Sequence, residues 1–454
     1  MSELKDNLVA EAALVSSSSQ PPQKAKPTAP VSAWNVLVQG IALFSDGYNV
    51  QIMGYMETVM AKLYPKQLTS SIKTLGEAIG MLLFGLCIDR FGRRVGIIAT
   101  TAFLVLVRVR IILSTAAHGN TVTGMFWMMI VPPPESGVGA GDEYAVWTAQ
   151  ALECADSRAS LQKRRGSLVS ISANLATSIV SLIFIAAYGN KASEGILRAC
   201  FGIGIFLPLT IFFVRMSLLD SSLYQKHAIQ HRVPYMLAIR RYWRPLLGCS
   251  LAWFLYDFVA YPFNLLAPTL VSGFTKTPTL LQSVGWSALI NSFAIPGAIF
   301  GGWLTDRMGR RQTYAVGGLR FPLSHVFPLF VVLYGFFQSF LSVGPADCNF
   351  LVSSESFPTP LRGHFLGFAA AVGKASSAIG TTVLIIALNS LQNQTKGHQV
   401  LFFIGSSISV LGTMVVIFLI PNHPATLEEE DSKFRAYLEE NGYDASEMGL
   451  VEKH

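Results

Sequence analysis

Apolar runs long enough to cross a bilayer follow one another from residue 34 to residue 420. One helical crossing needs about 20 predominantly apolar residues, and the chain offers ten or eleven such runs. In order, the predicted spans are 34–60, 75–88, 95–117, 125–152, 167–188, 196–214, 246–270, 285–304, 326–352, 364–388 and 400–420. The pattern predicts an all-α protein that crosses a membrane many times.

The composition excludes a soluble protein. The chain is 51% hydrophobic and only 13% charged, whereas a soluble domain is about one quarter charged. The net charge is +7, with the basic residues in alternate loops. That arrangement is typical of positive-inside membrane topology, so a lipid bilayer is the expected environment and no nucleic-acid partner is expected. The five cysteines show no metal-binding or disulfide spacing, and we interpret them as packing residues.

Polar stretches divide the chain into five parts. Residues 1–33 are predicted to be a disordered cytosolic tail, and residues 34–214 a first helix bundle. The segment 215–245 holds six Lys and Arg residues and is interpreted as a cytosolic linker. A second bundle is predicted over 246–420. Residues 421–454, with nine acidic and three basic residues, are interpreted as an acidic cytosolic tail, which places both termini in the cytosol.

One loop motif occurs twice. The pattern G-x(3)-D-R-x-G-R-R is found at 85–94 and again at 302–311. Its aspartates, Asp89 and Asp306, lie 217 residues apart, and a repeat at half-chain spacing indicates the duplication of half a transporter. An aspartate in such a loop can pair with an arginine across the ends of neighbouring helices, and the arginines hold the loop in the cytosol.

This motif resembles that of the major facilitator superfamily. The resemblance implies two six-helix bundles around a central cavity that opens to either side of the membrane in turn. It also implies conformational gating by the two motif loops and by a second pair of loops, 153–166 and 355–363. The gating residues so assigned are Asp89, Arg90, Arg93, Glu153, Arg165, Asp306, Arg307, Arg310, Glu355 and Arg362.

Helix 9 departs from this plan. Two crossings are needed between Arg311 and Glu355, but the sequence supplies one good span, at 326–352. We therefore expect helix 9 to be truncated or missing. An inactive or misassembled remnant of a transporter is the alternative that this gap leaves open.

A polar face interrupts the apolar run 246–270. Trp253, Asp257 and Tyr261 recur at every fourth residue, so they lie on one side of a helix. A carboxylate inside an apolar helix is costly in a bilayer and usually faces a protein interior or a wet cavity. Lys374 is the only lysine within the predicted spans of the second half, and a buried anion needs such a cation. Polar contact between two helices is the simpler alternative for this face.

Four groups of residues resemble the phosphate:proton symporter family. They are Phe44-Ser-Asp46-Gly-Tyr48, Gly141-Asp142-Glu143-Tyr144, Trp253-x(3)-Asp257-x(3)-Tyr261 and Gly373-Lys374-Ala375. The resemblance implies that the substrate-binding residues are Tyr144, Trp253, Asp257, Tyr261 and Lys374. It also implies that Asp46, Glu143 and Asp257 carry protons.

Helix 10 differs from the phosphate members of that family. They commonly carry Gly-Pro-Asn, whereas this chain has Gly344-Pro345-Ala346, which removes an amide donor and leaves room in the cavity. The segments 344–350 and 353–358 resemble fungal glycerophosphodiester permeases of the same family. The single negative charge of a phosphodiester suits a single lysine.

We therefore expect a proton-coupled importer of an anionic phosphate compound, with a glycerophosphodiester ahead of inorganic phosphate. If Asp257 is protonated when the anion is bound, proton binding and anion binding favour each other. We expect a monomer in the plasma membrane, with no catalytic or metal site and no cofactor beyond the coupling proton. A sugar or polyol facilitator and a nutrient sensor on the same scaffold are the rival interpretations.

Overall fold

The computed structural model describes residues 176–191, 193–216, 234–272, 279–318, 327–390, 394–420 and 427–443, with scattered positions in 44–63 and 102–109. All of them fall within the unit Trp34–His454. In these ranges the chain is helical and contains no strand. The tail 1–33 and most of the first four predicted spans lie outside the described residues.

The helices follow one another in the order that the apolar runs predict. Their bounds are α1 Ala176–Ala187, α2 Glu194–Met216, α3 Tyr235–Ser272, α4 Leu280–Ser292, α5 Ala294–Met308, α6 Arg310–Gly317, α7 Phe327–Leu341, α8 Asp347–Glu355, α9 Arg362–Ser390, α10 Gln394–Leu419 and α11 Leu427–Glu440. A π-helical turn, Ser342–Ala346, joins α7 to α8, and a 3-10 turn, Thr359–Leu361, precedes α9.

Five helical segments are long and apolar enough to cross a membrane among the residues described. They are Tyr235–Pro268, Leu280–Thr305, Pro328–Glu355, Thr359–Leu388 and Lys396–Leu419. These segments coincide with the predicted spans of the second half, so the prediction of an all-α membrane protein is confirmed. The helix α3 begins at Tyr235, inside the stretch that we interpreted as a linker.

Within the described residues, helix 9 of the superfamily plan corresponds to α6, which has eight residues. Arg310 at its start lies 2.6 Å from Glu355 at the end of α8, so both residues occupy one end of the bundle. Gly317 at its other end lies against Gly344 and Pro345 in the π-helical turn. Gly344 precedes Glu355 by eleven residues, or about 16 Å of helix, roughly half the thickness of a bilayer core. The described part of α6 therefore extends over about half the length that a full crossing needs.

The helices α3 and α9 pack unusually closely, and a proline and a glycine are the reason. Pro262 has no N–H, so the carbonyl of Phe258 lacks its usual partner within α3. Gly380 of α9 lies directly against that carbonyl, since a Cβ built on Gly380 would lie 2.4 Å from its oxygen. One turn earlier, the Ser376 hydroxyl donates to the carbonyl of Phe254 at 2.7 Å. This contact fixes the register between the two helices.

The acidic C-terminal segment contains a docked helix, α11. Asp431 is buried and accepts hydrogen bonds of 2.6 Å from both the backbone N–H and the hydroxyl of Thr359. Phe434 and Leu438 are buried in the same core as Tyr242. The net acidic charge of this segment hid the spacing of its buried residues, which recur on one face of the helix.

We predict that Gly380→Ala lowers the thermal stability of the protein in detergent. The added methyl group overlaps the Phe258 carbonyl, and overpacking of this kind costs about 1–3 kcal/mol. Gly202→Ala is the matched control, because a Cβ on Gly202 would meet nothing within 4 Å. Unfolding midpoints followed by tryptophan fluorescence test this; an equal midpoint for both variants would contradict the close contact.

Candidate functional site

The centre of the candidate site is an ion pair between Asp257 of α3 and Lys374 of α9. The Lys374 Nζ lies 3.4 Å from Oδ2 of Asp257. Both residues are almost completely buried, with 4% and 6% of their surfaces exposed. The structure thus brings together Asp257, which the sequence predicts to change its protonation state, and Lys374, which it predicts to be the cation.

Tyr261 lies beside the pair, as the spacing along α3 predicts. The Lys374 Nζ is 5.4 Å from the centre of the Tyr261 ring, which is within the range of a cation–π interaction. The lysine therefore has two partners on α3, one charged and one aromatic. These partners, Asp257 and Tyr261, lie one helical turn apart on the same face of α3.

Trp253 is held in place one turn before Asp257. Its indole N–H donates to the hydroxyl of Ser353 on α8 at 2.8 Å, and its ring meets Phe350 edge-on at 4.8 Å between centroids. With 1% of its surface exposed, the indole is buried against α8. The hydrogen bond from the indole N–H to Ser353 connects α3 to α8.

Gly373 allows the carboxylate to approach α9. A Cβ at this position would lie 2.9 Å from Oδ2 of Asp257 and 3.2 Å from Cβ of Trp253. Contacts below 3.0 Å do not form without a shift of the structure. The absence of a side chain at residue 373 thus permits residue 374 to meet Asp257.

The ion pair is suited to exchanging one anion for another. Burying two charges costs several kcal/mol per ion, and their mutual attraction offsets this cost only while both partners remain. Lys374 is therefore most stable with an anion beside it. Another anion can take the place of Asp257 beside Lys374 if the carboxylate loses its charge.

A second buried polar cluster lies further along α3. The Gln338 Nε2 donates to Oδ1 of Asn264 at 2.6 Å and to Oδ1 of Asn291 at 3.4 Å. Asn291 in turn donates to the Tyr55 hydroxyl at 3.1 Å, which lies 2.6 Å from the hydroxyl of Ser178. We call these five residues the amide cluster. It joins α3, α4 and α7 of the second half to two residues of the first half.

The predicted gating residues of the second half lie at the end of the bundle near Arg310. Arg310 pairs with Glu355 at 2.6 Å, and the guanidinium of Arg307 lies 4.6 Å from the centre of the Trp303 ring. Arg362 is fully buried and donates to the carbonyls of Ser354 and Phe357 at 2.7 and 3.3 Å. Its described contacts hold the loop between α8 and α9 in shape.

The remaining predicted residues lie outside what the structure describes. These are Asp46, Asp89, Arg90, Arg93, Glu143, Tyr144, Glu153 and Arg165, together with the side chain of Asp306. Their assignment as proton carriers, substrate ligands or gating residues stays a prediction.

Sequence reasoning missed the amide cluster. Asn264 follows Asp257 by seven residues, or two turns, so it continues the polar face that we ended at Tyr261. Asn291 and Gln338 are each the kind of polar residue that is rare in an apolar span unless it serves a function. That rarity was the available signal for a functional role. The sequence of one chain does not show that Asn264, Asn291 and Gln338 come into contact.

Comparison with known proteins places the chain in a family. The model of the sugar (and other) transporter family matches residues 34–232 and 326–434. A glycerophosphoinositol permease of Candida albicans is 34% identical over 90% of this chain and 82% of its own. A glycerophosphoinositol transporter of Saccharomyces cerevisiae is 32% identical over 92% of this chain and 84% of its own.

Solved structures show the same fold. The proton:xylose symporter XylE aligns with a TM-score of 0.72 at 15% identity and covers 89% of this chain and 99% of its own. At this identity the likeness concerns the fold alone. The chain belongs to the sugar (and other) transporter family of the major facilitator superfamily, and it is a multi-pass membrane transporter and not an enzyme.

Proposed function

We propose that this protein imports a glycerophosphodiester together with a proton. The observation that carries the proposal is the buried pair of Asp257 and Lys374, 3.4 Å apart, with Tyr261 against the lysine. Lys374 binds the phosphate of the substrate, and Asp257 takes up the proton as the phosphate replaces it. Tyr261 and Trp253 border the bound anion.

The charges at the site explain why a proton is bound together with the anion. In the structure the pair sums to zero charge. A phosphodiester carries one negative charge at neutral pH, so its arrival beside an ionised Asp257 would leave two anions on one cation. At a separation of about 4 Å and an effective dielectric constant near 20, such repulsion costs about 4 kcal/mol, or roughly a thousandfold in affinity. Protonation of Asp257 removes this cost and restores zero charge.

The same charge count separates the candidate substrates. A neutral sugar needs no buried lysine, so the ion pair speaks against a sugar facilitator. Inorganic phosphate carries up to two negative charges near neutral pH, and one lysine with one proton on Asp257 leaves a charge unmatched. A phosphodiester matches one lysine and one proton.

The relatives support a phosphate-bearing substrate. The two fungal proteins described above are named for glycerophosphoinositol, and a Toxoplasma gondii protein that is 26% identical over 77% of this chain is named as an inorganic phosphate transporter. We extend the glycerophosphodiester substrate to this chain because it also satisfies the charge count.

The further parts of the proposal concern residues and surroundings that the structure leaves undescribed. Tyr144 completes the substrate site, and Asp46 and Glu143 pass protons to it from the first half. The protein works as a monomer in the plasma membrane, with both termini in the cytosol. The proton is its coupling ion.

Uptake into proteoliposomes tests the proposal directly. An inward proton gradient should drive accumulation of labelled glycerophosphoinositol above its equilibrium level, and collapse of the gradient with a protonophore should abolish the accumulation. Correctly inserted protein that takes up neither glycerophosphoinositol nor phosphate would rule out the symporter.

We predict that Lys374→Gln weakens binding of glycerophosphoinositol at every pH by at least about 30-fold. Removing one partner of a buried charge pair costs about 2–5 kcal/mol or more. The double variant Asp257→Asn with Lys374→Gln carries no buried charge, so it should regain stability while still failing to bind. Lys396→Gln, at an exposed lysine near the start of α10, is the control. Calorimetric titration measures the affinities, and tight binding by the double variant would remove Lys374 from the anion site.

We predict that Asp257→Asn binds the substrate with an affinity that does not vary with pH. Asparagine imitates the protonated carboxyl group and cannot titrate, so binding remains while coupling is lost. Affinities measured between pH 5 and pH 8 test this against the wild type, whose affinity should fall as the pH rises. Retained pH dependence in the variant would assign the coupling proton to another residue.

A further inference from the structure

We propose that Asn264, Asn291 and Gln338 form a second subsite, which binds a hydroxyl-bearing head group of the substrate while Lys374 holds its phosphate. The inference rests on the proposed function and adds to it the chemistry of the head group, a neutral polyol. Its basis is the amide cluster and the place of that cluster on α3.

The distance between the two subsites suits one small molecule. Asn264 follows Asp257 by two helical turns on the same face of α3, a separation of about 10 Å along the axis. Tyr261 lies between them, in contact with Lys374. A phosphodiester bound at Lys374 can therefore extend past Tyr261 and place a six-membered ring beside Asn264.

Gln338 is the residue that points to a ligand. It is buried, with 3% of its surface exposed, and its Nε2 donates to both Asn264 and Asn291. Its Oε1 has no hydrogen-bond partner among the described residues. A buried acceptor without a donor is unfavourable, and a ligand hydroxyl can supply the donor.

The chemistry of the cluster selects a neutral group. Each side-chain amide offers both a donor and an acceptor, which matches hydroxyl groups because they also do both. None of the five members of the amide cluster is a carboxylate, so a cationic head group such as choline would have no counter-charge within it. The subsite therefore favours a polyol over a quaternary ammonium.

The first half of the transporter also reaches this subsite. The Tyr55 hydroxyl accepts from Nδ2 of Asn291 at 3.1 Å and lies 2.6 Å from the Ser178 hydroxyl. A head group that takes over the bond of Asn291 thus contacts the junction of the two halves. The alternative role of the cluster, a latch that only holds the halves together, would make no distinction between head groups.

Two probes separate these roles. Dimethyl phosphate is a phosphodiester anion without hydroxyls and reports the Lys374 site alone, whereas glycerophosphoinositol reports both subsites. Gln338→Met and Asn264→Ser should each weaken binding of glycerophosphoinositol about tenfold or more, as expected for the loss of a buried hydrogen bond. The same variants should change the affinity for dimethyl phosphate less than about twofold.

The control variant is Ser287→Ala on α4, one turn before Asn291. Ser287 is buried but its hydroxyl donates within its own helix, to the carbonyl of Ser283 at 2.8 Å, so both affinities should stay at the wild-type level. Calorimetric titration of the full chain in detergent provides the measurements, and whichever of Gln338→Met and Asn264→Ser folds supplies the test.

Two outcomes would overturn the subsite. One is an equal loss of affinity for both probes, which indicates a latch, and the other is no loss of affinity for either probe. Failure of the wild type to bind dimethyl phosphate and glycerophosphoinositol alike would instead contradict the proposed function.

Discussion

The buried pair of Asp257 and Lys374 constrains everything around it, because two charges in an apolar bundle must stay balanced. An unmatched ion in such surroundings costs several kcal/mol, so the loss of either partner is unfavourable unless another charge replaces it. A transporter can use this constraint. Under the proposed function, a substrate anion enters only when a proton neutralises the carboxylate, and it leaves when the proton leaves, so the two ligands raise each other's affinity.

The fold serves this pair through the packing of α3 against α9. Gly380 lies against the carbonyl that Pro262 leaves free, and Gly373 leaves room for the carboxylate. The hydrogen bond from Trp253 to Ser353 adds α8 as the third helix that surrounds the site. The site thus depends on positions that bear no charge, and a methyl group added at either glycine would displace the charged residues.

Much of the second half could be predicted from sequence alone. The predicted span 364–388 lies within the observed helix Arg362–Ser390, because apolar runs report burial in lipid directly. Asp257 and Tyr261 fell on one face by helical period, and the scarcity of lysine pointed to Lys374. The contacts of Arg362 with carbonyls and the meeting of Asn264 with Gln338 depend on tertiary structure, which periodicity in one chain does not encode. The acidic charge of Leu427–Glu440 concealed a docked helix.

The exchange of partners at Lys374 is the central claim, and proton uptake on binding measures it most directly. Glycerophosphoinositol is added to the purified protein in weakly buffered detergent solution, at a pH where Asp257 is ionised. The protein should then take up about one proton for each molecule of glycerophosphoinositol that it binds. The Asp257→Asn variant should bind the substrate in the same titration and take up no proton. Saturating binding to the wild type without any change in pH would show that the anion enters beside an ionised carboxylate, and would contradict the account.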